Sequence, residues 1–78
     1  MRKKELKTVI TFETTTQAIG MESACKEYRI EGRLIPVPKE ITAGCGMAWM
    51  TPLENEEFVV QFMSEHEIIP QGVFQVEI

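Results

Sequence analysis

Cys45 is the residue of this sequence best placed for chemistry, because Gly44 precedes it and Gly46 follows it. Glycine adds no side chain to a core and costs backbone entropy, so a cysteine that only fills space gains nothing from glycine on both sides. Bare backbone beside a thiol leaves room for another molecule to approach the sulfur. The pattern therefore fits two interpretations: an accessible sulfur that reacts as a thiolate, or an incidental thiol in a glycine-rich turn.

The remaining reactive groups do not complete a catalytic site around Cys45. Nucleophilic catalysis needs a base within hydrogen-bond reach. His66, the single histidine, falls at the predicted end of the second helix, where it can interact with the helix dipole. Because that helix runs back toward the cysteine end of the sheet, the sequence leaves undecided whether His66 contacts Cys45. Cys25 lies on the apolar stripe of the first helix, so we expect it in the core. It lies about 15 Å along the helix from the N-terminal end, so we expect no disulfide with Cys45. Metal sites need three or four converging ligands, and we expect none here.

The chain has 78 residues and a net charge of −4. This length fits one domain, which we place at residues 6–78, after a basic leader of residues 1–5. The negative charge argues against nucleic acid as a partner, because phosphate binding relies on clustered Lys and Arg. The leader lacks the apolar stretch of a signal peptide or a spanning helix. We therefore expect no membrane partner, and a cytoplasmic protein whose thiols are unpaired.

Alternating apolar residues and capping signals predict four strands and two helices. The threonines at 14–16 offer an N-cap to the first helix. Thr51 followed by Pro52 reads as the cap and first position of the second helix. The predicted buried stripe of that helix is Leu53, Phe58, Val59, Phe62 and Met63. The predicted strands are residues 6–12, 33–37, 46–50 and 72–78, and the predicted helices are residues 15–29, ended by Gly32, and 52–66.

This order of elements is that of an α+β, ferredoxin-like βαββαβ split sandwich, a four-stranded antiparallel sheet with two helices on one face. Right-handed crossovers put the second and fourth strands at the edges, where Pro36 and Pro38 are tolerated. The loop that leaves the second strand then lies at the same end of the sheet as the start of the first helix. We therefore expect Cys45 near Thr14, where the helix dipole, helped by Lys39, favours a thiolate.

A sheet with both helices on one face leaves its other face without a covering layer. Met47, Trp49 and Val9 are candidates for that open face, with Trp49 and Phe12 alternatively in the core. An apolar face of this kind is a surface for self-association. We therefore keep a homodimer through this sheet face as one possibility.

The residues around the cysteine resemble those of the small selenium/sulfur carrier protein-like domains. Residues 11–14 read Thr-Phe-Glu-Thr, residues 33–42 read Arg-Leu-Ile-Pro-Val-Pro-Lys-Glu-Ile-Thr, and residues 44–46 read Gly-Cys-Gly. The resemblance extends over nearly the whole chain after the leader. It implies a carrier in which Cys45 holds the chalcogen, with sulfur or selenium donor and acceptor proteins as partners. Because no complete catalytic constellation surrounds Cys45, we expect a carrier rather than an enzyme, and we expect no cofactor. The binding residues that we predict around Cys45 are Gly44, Gly46, Lys39, Thr14, Pro36 and Pro38.

Two other functions remain open at this point. The same topology serves many unrelated roles, so a ligand- or protein-binding regulatory module is the main alternative. In such a module Cys45 would have an ordinary thiol pKa, near 8.5. A thiol-redox sensor is the third interpretation, in which mild peroxide would convert Cys45 to a sulfenic acid or a mixed disulfide.

Overall fold

Four strands form one antiparallel sheet in the computed structural model, which describes residues 4–41 and 46–78. The spatial order is β2-β3-β1-β4, so β2 and β4 are the edges, as predicted. The ferredoxin-like α+β topology is thereby confirmed. The strands are β1 (Leu6–Thr11), β2 (Arg33–Pro36), β3 (Met47–Pro52) and β4 (Gly72–Glu77), and the helices are α1 (Thr15–Glu27) and α2 (Glu56–Glu65).

Helix α1 begins at the predicted cap. The Thr14 hydroxyl oxygen accepts a hydrogen bond from the Gln17 N–H at 3.1 Å, and Gln17 Oε1 accepts one from the Thr14 N–H at 3.1 Å. This reciprocal pair satisfies donors that the first helical turn would otherwise leave open. The predicted N-cap within residues 14–16 is therefore confirmed, and Thr14 is the capping residue.

The predicted start of the second helix is wrong. Strand β3 continues to Pro52, a 3-10 turn covers Leu53–Asn55, and α2 begins only at Glu56. Thr51 pairs with Thr8 across the β1–β3 ladder, and its hydroxyl donates to the Glu31 carbonyl at 2.7 Å. Strand pairing therefore overrides a local capping signal, and the hydroxyl caps no helix.

The buried stripe of α2 is narrower than predicted. Val59, Phe62 and Met63 are buried as predicted. Leu53 and Phe58 are 36% and 60% exposed, contrary to the prediction. Leu53 lies in the 3-10 turn, outside α2, and Phe58 lies at the edge of the stripe formed by Val59, Phe62 and Met63.

Both helices end in a left-handed residue that is not glycine. Arg29 has φ 59° and Glu67 has φ 57°. After α1, the Ile30 N–H bonds to the Cys25 carbonyl at 2.8 Å, and after α2 the Ile68 N–H bonds to the Met63 carbonyl at 2.8 Å. These are Schellman motifs, which satisfy the last carbonyls of each helix. Gly32 does not end α1.

Apolar residues pack on both faces of the sheet. On the helix side, Ile10, Phe12 and Trp49 join α1 and α2 in one cluster. On the face without helices, a second cluster contains Val9, Ile41, Ala48 and Val76. Ile10 and Val9 of β1 therefore lie on opposite faces, and Val9 lies on the face without helices, as predicted. Trp49 and Val9 are both fully buried and belong to opposite faces, so they do not together mark an exposed face.

Candidate functional site

The loop after β2 is closed at its base by backbone hydrogen bonds. The Val37 N–H donates to the Gly46 carbonyl at 3.0 Å, which continues the pairing of Pro36 with Met47 at the end of the β2–β3 ladder. Inside the loop, the Ile41 N–H donates to the Pro38 carbonyl at 2.9 Å and so closes a turn. The described residues on either side of positions 42–45 are thus both tied to backbone partners.

Ile41 anchors the same loop to the open face of the sheet. Its side chain is only 9% exposed and belongs to the cluster with Val9, Ala48 and Val76. Val37 packs against this cluster as well. The face that was expected to be uncovered is therefore partly covered by the protein's own loop.

Gly46 has a backbone conformation that suits glycine. Its φ is +79°, in the left-handed region that side-chain-bearing residues rarely adopt. A Cβ built on it would meet no atom within 4 Å, so the requirement comes from the backbone angle alone. Gly46 is also exposed. The other two members of the predicted Gly-Cys-Gly site, Gly44 and Cys45, lie outside the described residues.

The base of the loop and the start of α1 lie at one end of the sheet. Thr11, the last residue of β1, pairs with Ala48, and Pro36 pairs with Met47. Three residues after Thr11 comes Thr14, the N-cap. The first turn of α1 contains no acidic residue, so no carboxylate there offsets the positive end of the helix dipole.

Cys25 is a buried thiol in the helix-side core. It is 2% exposed and packs in the cluster that contains Met21 and Trp49. Burial raises the pKa of its thiol from 9.0 to about 11, because the low-dielectric surroundings disfavour the thiolate. Cys25 is therefore protonated near neutral pH and unsuited to nucleophilic chemistry, as its sequence position indicated.

His66 belongs to an aromatic cluster between the ends of the two helices. Its ring centroid lies 4.3 Å from that of Phe62 and 4.8 Å from that of Tyr28. Tyr28 is the C-cap of α1, at the opposite end of that helix from Thr14. At 1.5 Å per residue this is about 20 Å along the helix axis. The histidine is therefore not a neighbour of the α1 N-terminus, where the cysteine was expected.

An open groove crosses the face of the sheet that carries no helix, with a volume of about 690 Å³. Pro36, Pro38 and Lys39, three of the predicted binding residues, contribute to one of its walls. Thr14 caps α1 and is not among the residues that line it. We call this feature the basic groove; its lining is Lys4, Lys7, Arg33, Ile35, Pro36, Val37, Pro38, Lys39, Glu40, Met50, Glu77 and Ile78.

The sequence reasoning missed Lys7, Arg33 and Met50 as groove residues. The signal that could have found two of them is the two-residue alternation of strands. Lys7 shares a face with Val9, and Arg33 shares one with Ile35. Both faces point away from the helices, so a pair of cations on the open face was readable in principle.

Among residues 4–41 and 46–78, no group of three His, Cys, Asp or Glu side chains could hold a metal ion. In the same ranges, neither helix is long and apolar enough to cross a membrane.

Comparison with known proteins gives one match. The sequence model of the family described as "Putative Se/S carrier protein-like" matches residues 7–75. This match spans both strand-helix-strand halves of the fold and the loop that contains Cys45. No curated protein and no solved structure matches the chain.

Proposed function

The chain belongs to the Se/S carrier protein-like family, and on that premise we propose that it carries sulfur or selenium on Cys45 between a donor protein and an acceptor protein. The observation that carries the proposal is the loop that contains this cysteine. Its base is closed by the bond between Val37 and Gly46, and Ile41 anchors it on the sheet. A reactive loop held at both ends can present a thiol to partners in a reproducible position.

The transfer that we propose exchanges one sulfur between two thiols. The Cys45 thiolate attacks the outer sulfur of a donor persulfide, R–S–SH. A bond forms between Cys45 Sγ and that sulfur, the donor's S–S bond breaks, and its electron pair leaves with the donor thiolate R–S⁻. The acceptor thiolate then attacks the outer sulfur of Cys45–S–SH in the same way and regenerates the Cys45 thiolate. No net oxidation occurs, and a donor R–S–SeH would pass selenium by the same exchange.

Two features of the described residues support this chemistry. The N-terminus of α1 lies at the same end of the sheet as the loop base, and its first turn carries no acidic side chain, which favours a nearby thiolate. The other cysteine, Cys25, is buried and protonated near neutral pH. A single cysteine is thus left for the carrier role.

The experiment is to incubate the protein with a cysteine desulfurase and cysteine, and separately with a selenium donor, and to weigh it intact. We expect the addition of one chalcogen atom, located on Cys45 by peptide mapping. Cys45→Ser should abolish the adduct, whereas Cys25→Ala should retain it. The absence of an adduct with every donor, or equal labelling of both cysteines, would contradict the proposal.

A binding module is the second candidate, and the basic groove is the observation that favours it. In that function Cys45→Ser would leave partner binding unchanged, and no chalcogen would accumulate.

The homodimer through the open sheet face and the cytoplasmic location stay predictions. Sedimentation over a range of protein concentrations tests the dimer, and fractionation of the source cells tests the location.

A further inference from the structure

The basic groove concentrates positive charge on an otherwise acidic protein. The chain has eight Lys and Arg against twelve Asp and Glu. Of the six basic residues among those described, the four that line the groove are Lys4, Lys7, Arg33 and Lys39. Two carboxylates also line it, and a third, Glu5, pairs with Lys7 at 3.0 Å. Since cations outnumber anions there, the groove favours an occupant with negative charge.

The floor of the basic groove is aliphatic. Ile35, Val37, Met50 and Ile78 line it, and none of its described lining residues is aromatic. Binding of single-stranded nucleic acid typically uses aromatic rings on which bases stack, and this floor supplies none. Aliphatic side chains of a polypeptide fit such a floor. The combination of a cationic rim and an apolar floor therefore favours an acidic segment that also carries apolar residues.

The dimensions of the groove fit a short extended segment. Every strand contributes to the lining: Arg33 from β2, Met50 from β3, Lys7 from β1 and Glu77 from β4. Four adjacent strands span about 14 Å, the length of roughly four to five extended residues. Small-molecule sites typically enclose most of their ligand, whereas this groove is open along the sheet face. A segment of polypeptide laid across the strands is therefore the better fit.

The groove is continuous with the proposed carrier loop. Residues 36–40 form one wall of the groove, and the same chain continues through Ile41 to positions 42–45. We propose that the basic groove binds an acidic, apolar-bearing extended segment of the chalcogen donor or acceptor protein. The identity of this partner rests on the proposed function. Occupation of the groove brings the partner to the loop that carries Cys45, so the groove selects partners without taking part in the transfer.

The test uses two fluorescein-labelled peptides, one alternating glutamate with leucine and one alternating lysine with leucine, titrated with the full chain at low salt. We expect the glutamate peptide to bind and the lysine peptide not to bind. The double variant R33Q/K39Q should weaken binding about 3- to 10-fold, because each exposed cation contributes a modest free energy. Rising salt should weaken binding further, since the cationic rim is exposed.

The matched control is the double variant K26Q/R29Q, which removes the same charge from exposed positions at the C-terminal end of α1. It should bind the glutamate peptide with wild-type affinity. Because all four positions are exposed, both double variants should keep the wild-type circular dichroism spectrum. Met50→Ala tests the floor and should also weaken binding.

Four results would overturn the docking proposal: no binding of the glutamate peptide, equal binding of the lysine peptide, equal losses in the two double variants, or undiminished binding by Met50→Ala. A concentration-dependent dimer that R33Q/K39Q abolishes would make a second copy the occupant and would also overturn it. The binding test contains no chalcogen, and Cys45→Ser should bind as wild type. Failure of the adduct experiment and failure of the docking proposal are therefore distinguishable.

Discussion

The indole ring of Trp49 packs against the backbone of Gly32 so closely that a Cβ atom at residue 32 would overlap Cζ2 and lie 2.6 Å from Cε2. Trp49 is fully buried in the helix-side core, so its ring has no room to withdraw. Gly32→Ala should therefore lower the free energy of unfolding by about 1–3 kcal/mol, the usual cost of overpacking. Urea denaturation at neutral pH measures the change.

The control for this substitution is Gly20→Ala. Gly20 lies inside α1, and a Cβ on it would meet no atom within 4 Å. Alanine should raise the free energy of unfolding there by about 0.5–1 kcal/mol, because it restricts the unfolded chain and favours the helix. A pair of substitutions with the same sign would contradict the packing argument.

Replacing the left-handed residue after α2 by glycine should stabilise the protein. Glu67 has φ 57°, and glycine takes that angle without the steric cost of a Cβ. Glu67→Gly should gain about 0.5–1 kcal/mol, after the larger unfolded-state entropy of glycine is subtracted. Glu65→Gly, two residues earlier and still helical, should instead lose about 1 kcal/mol. Thermal unfolding of the two variants side by side distinguishes the two signs.

Stability should fall at alkaline pH because of Cys25. The folded state holds its thiol pKa at about 11, against 9.0 in the absence of burial. Between these values the unfolded chain loses the proton while the folded chain keeps it, so ionisation favours unfolding as pH rises. The slope from this one group reaches at most about 1.4 kcal/mol per pH unit.

The substitution Cys25→Ala isolates this contribution from those of lysine and tyrosine. Its stability, followed by urea unfolding between about pH 8 and pH 11, should decline less steeply than that of the wild type. The core cost of the alanine lowers both ends of the curve equally, so only the difference in slope is diagnostic. Parallel curves would mean that Cys25 titrates alike in both states.

Alkylation rates should separate the carrier from the binding module. In the Cys25→Ala variant only Cys45 can react, and a carrier thiolate should reach its half-maximal rate well below the ordinary thiol pKa of about 8.5. In the Cys45→Ser variant the buried Cys25 should label slowly until the protein is denatured. A half-maximal rate for Cys45 at the ordinary value would favour the module.

Loss of the loop anchor should affect stability and transfer together. Ile41→Ala removes most of a side chain that is 9% exposed and should cost about 2 kcal/mol. Ile69→Ala makes the same chemical change at a position that is 76% exposed and should cost less than about 0.5 kcal/mol. We also expect slower formation of the Cys45 adduct in Ile41→Ala alone. Unchanged adduct formation would mean that the anchor serves stability only.

The sequence predicted the sheet correctly because its signals there are mutually consistent. Alternation in β1, the threonine cap of α1, and Pro36 and Pro38 at or beyond the end of the edge strand are all compatible with one topology. The predicted helix start at Thr51 was wrong because Thr51 can either cap a helix or pair in a strand. Its pairing with Thr8, which is distant in sequence, selects the strand. The basic groove escaped prediction because it depends on how Ile41 folds the loop over the sheet. Lys7, Arg33 and Lys39 are distant in sequence, and no local pattern joins them.

The bond from the Val37 N–H to the Gly46 carbonyl also determines which backbone groups face outward at the edge of the sheet. Successive N–H groups of a strand alternate in direction, so the positions of Pro36 and Pro38 point away from β3. Proline has no N–H to offer at either position. A strand from another molecule therefore finds two missing donors along this border and cannot build a continuous ladder. The two prolines therefore disfavour edge-to-edge aggregation through β2. The other edge strand, β4, is then the edge at which intermolecular strand pairing would start, at high protein concentration or after partial unfolding.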